Sequence, residues 1–268
     1  MYILFTDLDG TLLNNQSRVS DFTKKVLDQF TGKGNRVVLS SGRALDSIKE
    51  VVQENGLHYP GMYISAFNGS LLYDCEQDKM IMEHRLSFEA VRYLQQKAEE
   101  AGIHIQSYKQ STIVVKEKDD ALNFYCIKNK LPIIYTEDFV SVMDEEPCKM
   151  LAIDMKDHDR LVRFVRETQE WRKQNHIQAL FSNQNYLELF DDRSGKGNAV
   201  RFLCEYLGET IENAYAFGDA PNDISMLEAA GHGVAMRNAD MEVKLAADHI
   251  TEYDNDQDGL ARFCLTHL

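Results

Sequence analysis

Short apolar runs alternate with amphipathic segments near the beginning of the chain and again near its end. The apolar runs predict strands at Ile3–Thr6, Arg36–Ser40, Met62–Ser65, Ala214–Phe217, Gly233–Ala235 and Asp248–Ile250. Continuous apolar runs of this length are typical of strands covered on both faces. The intervening segments predict helices at Asp21–Thr31, Ala44–Asn55, Lys196–Leu207, Asn222–Ala230 and Met241–Ala247. Strands that alternate with helices indicate an α/β fold with a Rossmann-like core built on a parallel sheet.

The middle of the chain follows a different pattern. It predicts helices at Phe88–Ala101, Asp119–Asn129 and His158–Lys173, and strands at Ile103–Tyr108, Thr112–Val115, Met150–Met155, Ile177–Phe181 and Tyr186–Phe190. Because this α+β pattern interrupts the α/β one, we predict an inserted cap domain at residues 85–189, within a core formed by residues 1–84 and 190–268. The polar residues 191–195 suit a hinge between the two domains.

Composition narrows the class of protein and its partners. The chain has 268 residues, of which 44% are hydrophobic, enough for one large or two modest domains. Its 29 basic and 43 acidic residues give a formal net charge of −14, which disfavours nucleic acid or an anionic membrane as the main partner. The five cysteines show no C-x-x-C spacing, so reduced thiols and a cytoplasmic location are expected. We expect neither a signal peptide nor a membrane span.

Two of the predicted strands end in acidic pairs. Asp7 and Asp9 follow the first strand, and Asp219 and Asp223 follow the strand Ala214–Phe217. Ligands of open α/β sheets bind beyond the carboxyl ends of the strands, and neighbouring carboxylates repel one another unless a cation holds them together. The two pairs, far apart in the sequence, are therefore expected to converge on one metal ion.

The chain resembles the haloacid-dehalogenase-like hydrolase superfamily in four motifs that occur in the family's order. These motifs are Asp7-x-Asp9-Gly10-Thr11-Leu12, Val37-Val38-Leu39-Ser40-Ser41-Gly42-Arg43, Ser194-Gly195-Lys196-Gly197-Asn198-Ala199 and Gly218-Asp219-x-x-Asn222-Asp223. The wide gap between the second and third motifs resembles the Cof-type sugar phosphatases, whose cap is of subclass IIB. The third motif is not a nucleotide P-loop, because Gly197 stands where that loop needs Ser or Thr.

The resemblance implies Mg²⁺-dependent hydrolysis of small phosphorylated metabolites, sugar phosphates first, through an aspartyl-phosphate. It makes Asp7 the nucleophile and Asp9 the general acid and base, with Ser41 and Lys196 completing the catalytic set. The implied metal ligands are Asp7, Asp9, Asp219 and Asp223. The implied phosphate-binding positions are Leu8, Ser41, Gly42, Arg43, Lys196 and Asn222.

Several alternatives stay open at this point. The same scaffold could serve a phosphomutase or a dedicated sugar-phosphate phosphatase, and a module that senses a phosphorylated metabolite without turnover belongs to a third class. Arg43 could form an ion pair with the cap or contact the substrate. Asn68 could act in the site or only hold its turn, and Ser182, Asn183 and Asn185 of the cap could contact substrate. The physiological ester and the oligomeric state do not follow from the sequence.

Overall fold

The computed structural model describes residues 1–128 and 131–268, so Asn129, the last residue of a predicted helix, lies outside the described residues. The chain divides into two compact units. We call Met1–Glu83 with Ser194–Leu268 the core unit, and His84–Arg193 the inserted unit. The core unit is therefore built from two separate stretches of the sequence. The roles of core and cap that the sequence suggests for these units stay predictions.

The core unit begins with β1 (Ile3–Thr6), α1 (Asp21–Gly32), β2 (Arg36–Ser40), α2 (Leu45–Asn55), β3 (Tyr63–Ala66), β4 (Leu71–Asp74) and β5 (Lys79–Glu83). The inserted unit follows with α3 (Phe88–Glu100), β6 (His104–Lys109), β7 (Thr112–Val115), α4 (Asp120–Lys128), β8 (Ile133–Tyr135), β9 (Lys149–Ile153), α5 (His158–Glu167), α6 (Gln169–Gln174), β10 (Ile177–Asn183) and β11 (Tyr186–Asp191). The core unit then resumes with α7 (Lys196–Leu207), β12 (Ala214–Gly218), α8 (Ile224–Ala229), β13 (His232–Ala235), α9 (Met241–Ala246), β14 (His249–Ile250) and α10 (Gly259–His267).

The core sheet confirms the predicted α/β class. Within the described residues its strand order is β14-β13-β12-β1-β2-β3-β4-β5. The strands from β14 to β3 pair in parallel, whereas β4 and β5 pair antiparallel at one edge. The central strands β1 and β12 are fully buried, as continuous apolar runs require. Their adjacent parallel placement brings their carboxyl ends to the same edge of the sheet.

The sequence prediction missed β4, β5 and α10. β4 starts directly after the turn that ends β3, so no helical segment separates the two strands. In β5 only Met82 is buried, and its pattern gives no clear alternation. These strands therefore lack the alternation of apolar runs and helical segments that predicts the parallel strands.

The inserted unit is an α+β layer around a sheet of its own. In the part that the structure describes, the strand order is β10-β11-β9-β6-β7-β8, and β8 was not predicted. One face carries an apolar cluster to which α3 contributes Val91 and Leu94, α5 contributes Phe164, and the strands contribute Met150 and Leu189. The unit thus has a hydrophobic core separate from that of the core unit.

Two predicted helices were wrong in detail. The segment predicted as one helix, His158–Lys173, is two helices that meet at Thr168. There the Thr168 hydroxyl donates to the Phe164 carbonyl at 2.7 Å, and the buried Arg172 guanidinium donates to the Val165 carbonyl at 3.0 Å, so α5 ends with its carbonyls satisfied. The predicted helix Asn222–Ala230 begins instead as a 3₁₀ turn over Pro221–Asp223, followed by α8.

Two further observations concern the cysteines and the helices. All five cysteines are free thiols. Across the described ranges, no helix combines the length and the apolar character that a membrane crossing requires.

The turn between β3 and β4 offers a test of close packing. Gly69 and Gly34 both have left-handed backbone, with φ of 86° and 85°. A Cβ at residue 69 would overlap the Gly195 carbonyl oxygen, whereas a Cβ at residue 34 would meet no atom within 4 Å. We expect Gly34→Ala to lower the free energy of unfolding by about 1–2 kcal/mol through backbone strain alone. Gly69→Ala should cost about 1–3 kcal/mol more through overpacking, measured by urea denaturation. Equal losses of unfolding free energy in the two variants would show that the backbone at Gly195 moves aside without destabilising the fold.

Candidate active site

The acidic residues of the first and fourth motifs meet at one edge of the core sheet. Asp7 follows β1 and Asp219 follows β12, and the two strands pair in parallel with Thr6 opposite Phe217. The backbone N–H of Asp7 donates to the Phe217 carbonyl at 3.0 Å, which extends this pairing by one residue. One carboxylate oxygen each from Asp7, Asp219 and Asp223 lies within 4.8 Å of the others. The convergence follows directly from strand order.

A single ammonium group joins these carboxylates. Lys196 is the first residue of α7, and its Nζ donates to Asp7 Oδ1 and to Asp223 Oδ1, at 2.6 Å in each case. The Lys196 side chain is completely buried. A cation at a helix N-terminus is electrostatically unfavourable, so the two carboxylates explain why this lysine is tolerated here. The third motif is thereby tied to the first and the fourth.

Asp223 is also held by backbone donors. Its Oδ2 accepts from the N–H groups of Asp219 and Ala220, at 3.0 and 3.1 Å. These bonds close the 3₁₀ turn over Pro221–Asp223 and use the second carboxylate oxygen, while Lys196 uses the first. Asp223 is therefore bound through both of its oxygens to groups of the protein.

Asp219 is positioned by the first motif. The Thr11 hydroxyl donates to Asp219 Oδ1 at 2.7 Å. A Cβ at residue 10 would overlap the Asp219 carboxylate, so only glycine leaves room for it there. The Asn238 side chain donates to the Gly10 carbonyl at 2.7 Å and fixes the same turn from the other side. The sequence prediction did not single out Thr11 as an Asp219 partner, although it lies inside the first motif.

Burial and mutual repulsion shift the titration of this cluster. Burial, together with the charges of neighbouring carboxylates such as Asp223, raises the pKa of Asp7 above its ordinary range, and the Lys196 ammonium opposes this in part. Burial, followed by the charge of Asp223, raises the pKa of Asp219 to about 7 against the hydrogen bond from Thr11. Burial would lower the pKa of Lys196, but the charges of Asp223 and Asp7 raise it. The Lys196 ammonium therefore neutralises only part of the negative charge of the cluster, and a second cation would stabilise the ionised carboxylates.

Asp9 lies outside this carboxylate cluster. Both of its oxygens accept from the Arg43 guanidinium, from Nε at 2.8 Å and from Nη2 at 2.6 Å. The pair is partly open to solvent, with 58% of the Asp9 side chain and 23% of the Arg43 side chain exposed. The sequence prediction had weighed substrate and cap contacts for Arg43 but not this partner.

The second motif lies beside the acidic cluster at the end of β2. The Ser41 N–H donates to the Ser65 carbonyl at 2.9 Å, and the Ser41 hydroxyl accepts from the Arg43 N–H at 3.3 Å. Asn222 of the fourth motif donates to the Asn68 side chain at 3.1 Å. Leu8 has a fully buried side chain, so only its backbone could contact phosphate. These residues surround the strand ends without being in the carboxylate cluster.

The structure thus brings Asp7, Lys196, Asp219 and Asp223 into direct contact or close approach, and joins Asp9 to Arg43. The polar residues 182–185 belong to the inserted unit, where Ser182 and Asn183 end β10 instead of forming a turn. Asp191, the first residue of the segment predicted as a hinge, is the last residue of β11.

Comparison with known proteins assigns the family. A model of the haloacid dehalogenase-like hydrolases matches residues 4–264, and the chain belongs to this family. A haloacid dehalogenase-like hydrolase from Bacteroides thetaiotaomicron has a solved structure with 31% sequence identity and a TM-score of 0.87, over 100% of this chain and 99% of that one.

Two other relatives are informative. YwtE of Bacillus subtilis is named a 5-amino-6-(5-phospho-D-ribitylamino)uracil phosphatase, and it is 30% identical over 98% of this chain and 96% of its own. The subclass IIB sugar phosphatase BT4131 shares the fold, with a TM-score of 0.82 over 99% of this chain and 98% of its own, at 21% identity. The chain is accordingly a hydrolytic enzyme of the Cof-type branch.

The raised pKa of Asp219 predicts how the metal-free protein responds to pH. Because its pKa rises from 3.8 to about 7 on folding, the folded state binds more protons, and its stability falls as pH rises from about 4 to about 7. Asp219→Asn removes this loss, so in EDTA at pH 8 we expect the variant to be more stable than the wild type, by at most about 4 kcal/mol.

Urea denaturation in EDTA at pH 4 and pH 8 measures this difference. Asp28→Asn, which removes an exposed carboxylate from α1, is the matched control and should show no such gain between the two pH values. A variant less stable than the wild type at pH 8 would contradict the expectation.

Proposed function

We propose that the protein is a Mg²⁺-dependent phosphatase that hydrolyses small phosphorylated metabolites, sugar phosphates first, through an aspartyl-phosphate at Asp7. The observation that carries the proposal is the buried Lys196 ammonium between Asp7 and Asp223, with Asp219 beside them. This arrangement provides a carboxylate nucleophile, a fixed positive charge and an anionic metal site in one place. Those are the groups that an attack on an anionic phosphate ester needs.

The donor set fits Mg²⁺. Its ligands are carboxylate oxygens, which hard divalent cations prefer, and the cluster carries more negative charge than Lys196 neutralises. Asp7 and Asp219 would hold the ion directly, with the Asp9 carbonyl. Because both oxygens of Asp223 already accept hydrogen bonds, Asp223 would act through a water molecule. The ion would supply a positive charge that neutralises nucleophile and phosphate as they approach.

Asp7 performs the covalent step. Its carboxylate oxygen attacks the phosphorus atom, and the bond from phosphorus to the leaving alkoxide breaks. The carboxylate and the phosphate ester are both negative and repel each other, and the Lys196 ammonium reduces this repulsion. Lys196 also holds Asp7 in a fixed direction from the start of α7. Ser41, the Gly42 N–H, the Leu8 backbone and Asn222 would donate to the phosphate oxygens.

Asp9 performs the proton transfers. It gives a proton to the leaving alkoxide, then accepts one from the water that attacks the aspartyl-phosphate, which releases inorganic phosphate and restores Asp7. Because two nitrogens of Arg43 occupy both oxygens of Asp9, this contact opens before Asp9 reaches the leaving group. The pair is partly open to solvent, so opening it costs on the order of 1 kcal/mol. Arg43 would then contact the substrate.

The substrate class rests on the relatives. The Bacillus subtilis relative named above acts on a ribityl phosphate, and a sugar phosphatase shares the fold. A phosphate on a polyhydroxylated carbon chain is therefore the first ester to test. We also place the enzyme in the cytoplasm, where free thiols such as its five cysteines persist. With a net charge of −14, nucleic acid and anionic membranes are not expected partners.

Removal of the nucleophile tests the mechanism. We expect the wild type to release phosphate from p-nitrophenyl phosphate and from a panel of sugar, polyol and nucleotide phosphates with Mg²⁺ but not with EDTA. Asp7→Asn should stay folded and lose turnover, because an amide does not attack phosphorus. Asp28→Asn serves again as the control. Turnover by Asp7→Asn near the wild-type rate would exclude Asp7 as nucleophile, and products that keep their phosphate would indicate a mutase instead.

Removal of the general acid tests the second role. Asp9→Asn should lower kcat by about 10²–10⁴-fold, the usual range for a lost acid–base group. The loss should be smaller for p-nitrophenyl phosphate than for a sugar phosphate, since nitrophenolate leaves without a proton. Rapid-quench detection of phosphoenzyme with p-nitrophenyl phosphate reports whether water activation is also lost, since the phosphoenzyme then accumulates. An equal loss on both esters would argue against leaving-group protonation by Asp9.

A further inference from the structure

The turn that follows β3 contains a buried polar residue that the mechanism above does not use. Phe67 and Asn68 both have left-handed backbone there, with φ of 50° and 55°. This conformation is uncommon for residues other than glycine. Asn68 is fully buried, and its N–H donates to the Ser41 carbonyl at 3.0 Å. The backbone of Asn68 is therefore tied to the second motif.

The side chain of Asn68 lies between the second and fourth motifs. Its Oδ1 accepts from Asn222 Nδ2 at 3.1 Å. On the other side it packs against Gly42, where a Cβ would lie 3.1 Å from Oδ1 and 3.4 Å from Nδ2. Gly42 and Asn222 are both residues that we expect to hold oxygens of the phosphate. One carboxamide thus contacts both of them.

The amide of Asn68 is not explained by stability. Among the described residues its Nδ2 has no hydrogen-bond partner, and a buried unpaired donor is destabilising. Glycine at this position would suit the left-handed backbone and would remove the unpaired group. What glycine would lose is the contact with Asn222. The contact with Asn222 is therefore what asparagine provides at this position and glycine would not.

We propose that Asn68 is a positioning residue of the active site, which orients the Asn222 carboxamide toward the transferred phosphoryl group; this rests on the proposed function. The Nδ2 of Asn222 carries two N–H bonds. One donates to Asn68, and because the amide is planar, the direction of the other is then fixed. A donor fixed before the substrate arrives stabilises the developing charge without reorganisation. Asn68 acts through Asn222.

A double-mutant cycle tests this dependence. Asn68→Gly keeps the left-handed backbone and removes the amide, and we expect it to lower kcat/KM by about 10–100-fold, as loss of an orienting partner does. In the Asn222→Ala background the same change should cost less than about threefold, since no amide remains to be oriented. Asn68→Ser, whose hydroxyl is too short to reach Asn222, should behave in the same way and guards against a folding defect of the glycine variant.

Binding of inorganic phosphate gives a second readout that does not need turnover. Isothermal titration with phosphate in Mg²⁺ should show weaker binding for Asn68→Gly than for the wild type, and no difference between Asn222→Ala with and without Asn68→Gly. Asn35→Gly is the matched control. Asn35 is also a buried asparagine, whose Oδ1 accepts from the Tyr2 N–H at 2.9 Å, at the other end of β1. It should leave kcat/KM and phosphate binding unchanged.

The outcomes separate the inference from the proposed function. Equal losses in both Asn222 backgrounds, or no loss in either, would overturn the role of Asn68 while leaving the phosphatase intact. If the wild type hydrolyses no ester, the proposed function fails, and the phosphate-binding cycle still decides whether Asn68 acts through Asn222.

Discussion

The site depends on one buried ammonium group. Lys196 contacts carboxylates from the first and fourth motifs at 2.6 Å each, and it starts the helix that begins the second segment of the core unit. Without it, Asp7 and Asp223 would be buried carboxylates with no counter-charge, a costly arrangement. The lysine therefore ties the start of α7 to residues that follow β1 and β12, and so links the two sequence segments that form the core sheet.

The same contacts explain why the site is strained electrostatically when no metal is bound. Lys196 offsets the charge of Asp7 and Asp223, but Asp219 adds a third carboxylate with a hydroxyl and not a cation as its partner. Burial, followed by the charge of Asp223, raises the pKa of Asp219. Stability and activity therefore make opposite demands on this residue, as they often do at active sites.

Much of the fold could be predicted from the sequence because the parallel strands are apolar runs separated by helices, and strand order then brings Asp7 and Asp219 together. The antiparallel strands β4 and β5 lack that rhythm. The break at Thr168 depends on a contact made by Arg172 that no periodicity reports. In the site, the partners of Asp9 and Asn222 depend on side-chain directions across sequence separations of 34 and 154 residues. Spacing along one chain does not encode those directions.

The position of β1 also constrains how the protein can be made. β1 pairs with β2 on one side and with β12 on the other, and β12 is synthesised only after the whole inserted unit. Until then the nascent chain carries an apolar strand with one unpaired edge, the kind of surface on which chains aggregate. The inserted unit has its own hydrophobic cluster and can collapse before β12 is synthesised. Completion of the sheet and assembly of the acidic site are thus one event, which follows synthesis of the inserted unit.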